Sequence, residues 1–267
     1  MLGAIAGDII GSVYEGGRPP GKDFPLFRPA SRFSDDTVLI VAVASAILGS
    51  HDYAQSIRSW GQRYPGAGYG RWFRTWLFHD SPAPYNSFGN GSAMRVAPVG
   101  WAFNSLEQVL TQATQSAEPT HNHPEGIKGA QAIAAAVFLA RTGRSKDAIA
   151  ALISDRFGYN LSASLEALQN TGGIDVTCQQ TVPAAVVAFL HSTDFEDAIR
   201  NAVSFGGDTD TVACIAGSIA EAFYGDVPLP IQLEALRRVD QTLMSEIKAF
   251  ADRYRLPMTS HPVPFGQ

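Results

Sequence analysis

Hydrophobic and polar positions along this chain follow helical spacing almost throughout. Over 53–63 and 105–117 apolar residues recur three and four apart, which predicts helices with one buried face. The stretches 38–48, 126–142, 181–190 and 211–224 are apolar nearly all round, so the helices they predict should be enclosed by the rest of the molecule. Residues 3–15 are rich in small side chains, and Gly7 and Gly11, one turn apart, would let a neighbouring helix come close. A last helix is expected over 233–254. Alternation of period two is hard to find, so no sheet is expected. Gly- and Pro-rich connectors at 16–30, 64–70, 80–92, 118–126 and 170–175 separate these runs. Connectors of that length in a compact protein usually serve a function. No linker or low-complexity segment divides the chain, so residues 1–267 read as one all-α domain whose long loops meet at one end of buried helices. The tail, 256–267, with three prolines, is expected to lie extended over the surface.

Composition narrows the function. With 267 residues, 45% hydrophobic and 17% charged, the chain can bury a sizeable core and is not of the disordered class. A net charge of −5 without a basic run argues against electrostatic capture of nucleic acid or of an anionic membrane. The longest charge-free apolar run, 38–48, is about half the ~20 residues that a bilayer span requires. "MLGAIAGDIIGSVYEG" lacks the basic start of a signal peptide and meets an acid at Asp8. The two cysteines, Cys178 and Cys214, form no C-x-x-C pair. These features together predict a cytoplasmic protein with reduced thiols.

Candidate chemistry lies at the mouths of two enclosed helices. "FSDDTVLIVAVASAIL" places Ser34, Asp35, Asp36 and Thr37 before one apolar run, and "FGGDTDTVACIA" places Asp208, Thr209, Asp210 and Thr211 before another. Capping a helix takes one such residue, and each cluster holds four. If the two helices are neighbours with their N-termini on the same side, four carboxylates converge and repel. Two divalent cations would balance their charge, and all-oxygen donors suit Mg²⁺, Mn²⁺ or Ca²⁺ better than zinc. Ser34 and Thr211 would add neutral oxygens.

Elsewhere the residues leave alternatives open. Glu15, in "GSVYEGG", is a solvated loop acid or a catalytic carboxylate. In "SFGNGSAMRVAPVG", Gly89 and Gly91 flank Asn90 ahead of Ser92, a flexible turn or a nest of N–H groups suited to phosphate. Arg95 could pair with that phosphate or with a core carboxylate. His121 and His123, two apart in "EPTHNHPEG", lack the further ligands that zinc would need, and His121 or Asn122 could instead border a substrate. Tyr14, Tyr69, Trp72, Phe88 and Phe205 are candidates to stack on a base or to fill the core.

Taken in order, "GAIAGDIIGSVYEG", "FSDDTVLIVAVA", "SFGNGSAMRVAPVGW", "THNHPEGIKGAQAIA" and "FGGDTDTVACIAGSIAEAFYG" resemble the ADP-ribosylglycohydrolase family. That family includes the hydrolase that reactivates dinitrogenase reductase and the arginine- and serine-linkage ADP-ribosyl hydrolases. The resemblance implies an orthogonal all-α bundle holding two Mg²⁺ or Mn²⁺ ions. It puts the metal ligands at Ser34, Asp35, Asp36, Asp208, Asp210 and Thr211, and catalytic roles at Glu15 and Asp36. Substrate contacts fall on Phe88, Gly89, Asn90, Gly91, Ser92, Met94 and His121. The implied reaction is hydrolysis of an α-linked ADP-ribosyl group from a protein or small molecule, releasing ADP-ribose. A silent ADP-ribose-binding module or a structural protein of the same fold are the alternatives. "GSVYE" resembles the serine-linkage branch and "THNHP" the arginine-linkage branch, so the acceptor stays open.

Overall fold

In a computed structural model, residues 1–17 and 20–258 are described; residues 259–267 of the expected extended tail lie outside them. Among the described residues the chain forms fifteen helices and no strand. The first helix, α1 (Leu2–Gly11), is followed by α2 (Asp35–Leu48), α3 (Tyr53–Arg63) and α4 (Arg71–Phe78). The short α5 (Gly91–Met94) and α6 (Ala97–Ala102) lead to α7 (Leu106–Ala117), α8 (Pro124–Arg141) and α9 (Lys146–Phe157). Next come α10 (Leu165–Gln169), α11 (Cys178–Leu190), α12 (Phe195–Val203) and α13 (Thr209–Tyr224), then α14 (Leu229–Leu236) and α15 (Gln241–Tyr254).

A backbone-to-backbone contact between α1 and α13 organises the centre. A Cβ at Gly7 would lie 2.1 Å from the Ala213 carbonyl oxygen, and one at Gly3 or Gly11 would strike Gly217 or Asp210. Glycines four apart therefore let the two helices touch, as the small-residue pattern of 3–15 predicts. Because Gly3 meets Gly217 and Gly11 meets Asp210, the helices run antiparallel. The C-terminal end of α1 is thereby delivered to the N-terminal end of α13.

Every residue of α1 is buried, as is nearly all of α13 and most of α2, matching their lack of a polar face. These helices share one connected apolar core with α8 and α11. Around it, α3 and α15 cover α2, α7 covers α8, and α12 covers α13. No helix among the described residues is long and apolar enough to cross a membrane. Cys178 and Cys214 are free and buried.

Three expectations need correction. The first helix stops at Gly11, and a turn over 12–17 carries Glu15. The apolar run 233–254 is two helices, because the Asp240 carboxylate accepts from Thr242 N at 2.9 Å and Leu243 N at 3.0 Å and starts α15 afresh. Helices α4, α9 and α12 were not expected at all. Two of them carried a local signal, the Ser145 and Asp194 caps. Lengths of 8, 12 and 9 residues are marginal alone, so packing on neighbours stabilises them.

Candidate active site

The α1–α13 contact and the start of α2 bring acids together at one end of the core. Asp208 caps α13 by position, Asp210 lies in its first turn, and Asp35 and Asp36 open α2. Thr211 Oγ1 donates to Asp36 Oδ1 at 3.3 Å, which ties the two helix mouths together. Glu15 reaches in from its turn, which Gly16 N fixes by donating to Gly207 O at 2.9 Å. Carboxylate oxygens of Glu15, Asp208 and Asp210 all lie within 4.8 Å of one another.

The electrostatics of this cluster are unfavourable for the protein alone. Burial, and next the charge of Asp210, push Asp35 up to about 8 and raise Asp36 and Asp208 well above the usual carboxylate range. Asp210 also raises Glu15, with burial adding and Arg32 opposing. None of these acids forms an ion pair among the described residues. Asp36 Oδ2 is buried without a hydrogen-bond partner. Crowded carboxylates with a free buried oxygen and hydroxyls alongside suit a hard divalent cation. The residues present therefore fit such a group.

Asp8 supports the cluster from beneath, and the sequence reading missed it. It is fully buried, and its Oδ2 accepts from Ser34 N at 3.0 Å, Thr37 N at 3.1 Å and Thr37 Oγ1 at 2.5 Å. Ser34 Oγ donates to Asp8 Oδ1 at 2.7 Å and accepts from Asp36 N at 3.2 Å. Ser34 is therefore both the cap of α2 and a link to α1. Burial, and next Asp210, raise Asp8 to about 7. The available signal was a lone acid inside an otherwise uncharged helix of small residues.

A cavity of about 330 Å³ stands over the acids. Glu15, Asp35, Asp36, Asp208, Asp210 and Thr211 line it, with Gly89, Asn90, Gly91, Met94 and His121 opposite. Asn90 Nδ2 donates to Asp208 Oδ2 at 2.5 Å and to Thr181 Oγ1 at 2.9 Å, so the loop holds an acid in place. Two of the expected nest donors are spent internally: Gly89 N donates to Ser87 Oγ at 3.1 Å and Asn90 N to Val176 O at 2.9 Å. Ser92 is buried outside the lining, donating to Gly126 O at 2.7 Å. Phe88 is also outside it, half-exposed and edge-on to His123. His123 Nδ1 caps α8 by accepting from Glu125 N at 3.1 Å.

His121 presents a defined face to this cavity. Arg95 donates to Thr120 Oγ1 at 2.9 Å, and that oxygen lies 2.7 Å from His121 Nδ1 in a hydrogen bond whose direction follows the ring's tautomer. Burial, and next Arg95, hold His121 well below its usual pKa. A neutral ring accepting at Nδ1 carries its proton on Nε2. A Cβ at Gly91 would lie 3.0 Å from that nitrogen, so a glycine is what admits the ring here. Arg95, which also lines the cavity, forms no ion pair with a core carboxylate among the described residues and donates to Ser116 O and Thr120 Oγ1. Trp72, Phe73 and Tyr85 wall the cavity, whereas Tyr14, Tyr69 and Phe205 are buried in the core. Of these three only Trp72 is expected from the sequence, since nothing local marks which aromatic faces a cavity.

Comparison with known proteins gives the arrangement a context. Residues 1–261 match the ADP-ribosylglycohydrolase family, and the chain belongs to it. ADP-ribosylhydrolase ARH3 of Danio rerio is 28% identical, over 86% of this chain and 83% of its own. The Homo sapiens protein of that name is 27% identical, over 86% and 85%. An ADP-ribosylarginine hydrolase of Pseudomonas putida is 26% identical, over 86% and 71%. A solved structure described as an ADP-ribosylglycohydrolase-related protein complex superimposes with a TM-score of 0.72 at 27% identity, over 96% and 97% of the two chains. The all-α fold expected from the residues is therefore the fold of this family.

Proposed function

We propose that this member of the ADP-ribosylglycohydrolase family is a metal-dependent hydrolase that releases ADP-ribose from an ADP-ribosylated protein or small molecule. The observation that carries the reading is the meeting of Glu15, Asp35, Asp36, Asp208 and Asp210, without a compensating ion pair among the described residues, at the floor of a cavity. Ser34, Asp35, Asp36, Asp208, Asp210 and Thr211 would hold two Mg²⁺ or Mn²⁺ ions, with Glu15 close by. Such ions, when bound, lower the pKa of a bound water and offset charge that develops in the transition state.

The remaining work falls to the chain's own groups. Glu15, on a turn that lines the cavity, would orient the attacking water and take its proton, since its raised pKa favours proton uptake. Asp36, whose Oδ2 has no partner, faces the same space. Asn90 keeps Asp208 in register, and His121 in its Nε2–H tautomer would donate to a ribose or phosphate oxygen. Gly89 and Gly91 let that oxygen approach the backbone. Trp72, Phe73 and Tyr85 supply flat apolar surface for a base.

The decisive variant is Asp208→Asn, which keeps the acid's shape and removes its charge. Release of ADP-ribose from an ADP-ribosylated substrate should fall below detection, and calorimetric titration with Mg²⁺ should show weakened binding, with the circular dichroism unchanged. Activity within about threefold of the parent would refute the reading, because ligands acting as a unit are not dispensable singly.

A further inference from the structure

Glu15, Asp35, Gly68 and Asp210 line two cavities at once, so the acid cluster stands where these meet. The second cavity, of about 470 Å³, lies between the segment before α2 and the loop after α3. Arg32 and Arg63 line it, together with Phe33 and Tyr64, whose rings meet edge-on at 5.9 Å. Both arginines are exposed, and neither makes an ion pair among the described residues. Arg63 lies over the Trp60 ring at 4.8 Å, which steadies its guanidinium beside the cavity. Arg32 lies close enough to Glu15 for its charge to oppose the rise in that carboxyl's pKa.

We propose that this second cavity receives the acceptor, and that Arg32 and Arg63 select one bearing negative charge beside the departing oxygen, as in an O-linked acidic peptide. The inference rests on the hydrolase reading above. A glycosidic bond placed at the acids has ADP-ribose on one side and its acceptor on the other. The glycine loop, the neutral His121 and the aromatic wall all belong to the first cavity, which leaves the second for the acceptor. In the reaction, the water oxygen bonds to the anomeric carbon while the bond from that carbon to the acceptor oxygen breaks. The electron pair of the broken bond leaves on the acceptor oxygen, which gains one water proton, so the products are ADP-ribose and a free hydroxyl. A carboxylate flanking that hydroxyl matches the planar donor fork of either arginine. Glu15, Asp35 and Asp210 also line this cavity, but the ions they would hold answer their charge, so a guanidinium-linked acceptor would set a third cation beside the two arginines.

Exposed pairs are individually weak, so each arginine should contribute a few-fold, and both about tenfold. The test uses serine-linked ADP-ribosyl peptides of equal length, flanked by glutamates or by lysines, and an arginine-linked peptide. At low salt the glutamate peptide should show the highest kcat/KM, by about tenfold over the lysine peptide. In the double variant Arg32→Glu, Arg63→Glu that order should reverse, with affinity for free ADP-ribose within about twofold of the parent. Equal rates for the two serine-linked peptides, or preference for the lysine or arginine-linked one, would overturn the proposal. So would a charge reversal that weakens free ADP-ribose as much as the acidic peptide, since the arginines would then serve the nucleotide. Fluorescence anisotropy of the same peptides reads the preference as binding. It therefore decides the inference even if no ADP-ribose is released, a result that would count against the hydrolase reading alone.

Discussion

Replacing Asp8 with asparagine and, separately, with alanine separates its hydrogen bonds from its charge. Both variants abolish the titration, so the difference between them is free of the charge and reads the lost hydrogen bonds together with the small void that alanine leaves. Asparagine keeps one acceptor oxygen for Ser34 N, Thr37 N and Thr37 Oγ1, and its amide can donate to Ser34 Oγ, much as the protonated acid would. Alanine leaves Thr37, which is fully buried, with two donors and no acceptor. An unmet buried donor costs about 1–3 kcal/mol, so alanine should be less stable than asparagine by about 2–6 kcal/mol, with half-buried Ser34 repaired by water. For a chain of this size that is a drop in Tm on the order of 5–15 °C. The comparison of asparagine with the parent reads the charge. Asp8 is raised from 3.8 to about 7, so its contribution to parental stability is complete below pH 4 and is lost as pH rises towards 7. Asparagine should therefore gain on the metal-free parent with rising pH and level off above pH 7, by at most about 4 kcal/mol. Urea unfolding in EDTA between pH 5 and 8.5, at equal m, measures both. An alanine–asparagine gap under about 0.5 kcal/mol, or an asparagine advantage that shrinks with pH, would refute the reasoning.

Two further substitutions test the scaffold and the chemistry. Gly7→Ala adds a good helix former, yet its Cβ would lie 2.1 Å from the Ala213 oxygen, so α1 and α13 must part. A loss of about 3 kcal/mol or more, or failure to fold, is expected in thermal melts, and a neutral or stabilising effect would contradict the backbone contact. Glu15→Gln should lower kcat by roughly 10²–10⁴-fold with little change in ADP-ribose affinity; equal losses in turnover and calorimetric binding would make Glu15 a binding residue instead.

Much of the fold was legible because its signals are local. The all-round apolar runs predict enclosed helices, and Gly7 and Gly11 predict a close neighbour; both are properties of a few consecutive residues. The clusters at 34–37 and 208–211 were legible too, since acids and hydroxyls ahead of an apolar run mark a helix mouth whatever surrounds it. Short helices such as α12 were not, because their stability comes from surfaces elsewhere in the chain. That the two helix mouths meet was only a condition in the sequence reading. The α1–α13 contact decided it, by carrying Asp8 beneath Ser34 and Thr37 and the Glu15 turn up to Asp208 and Asp210. Likewise nothing local distinguishes Arg32 and Arg63 from other surface arginines. Which side chains share a cavity depends on how distant backbones pack, and the sequence around each residue carries no record of that distance.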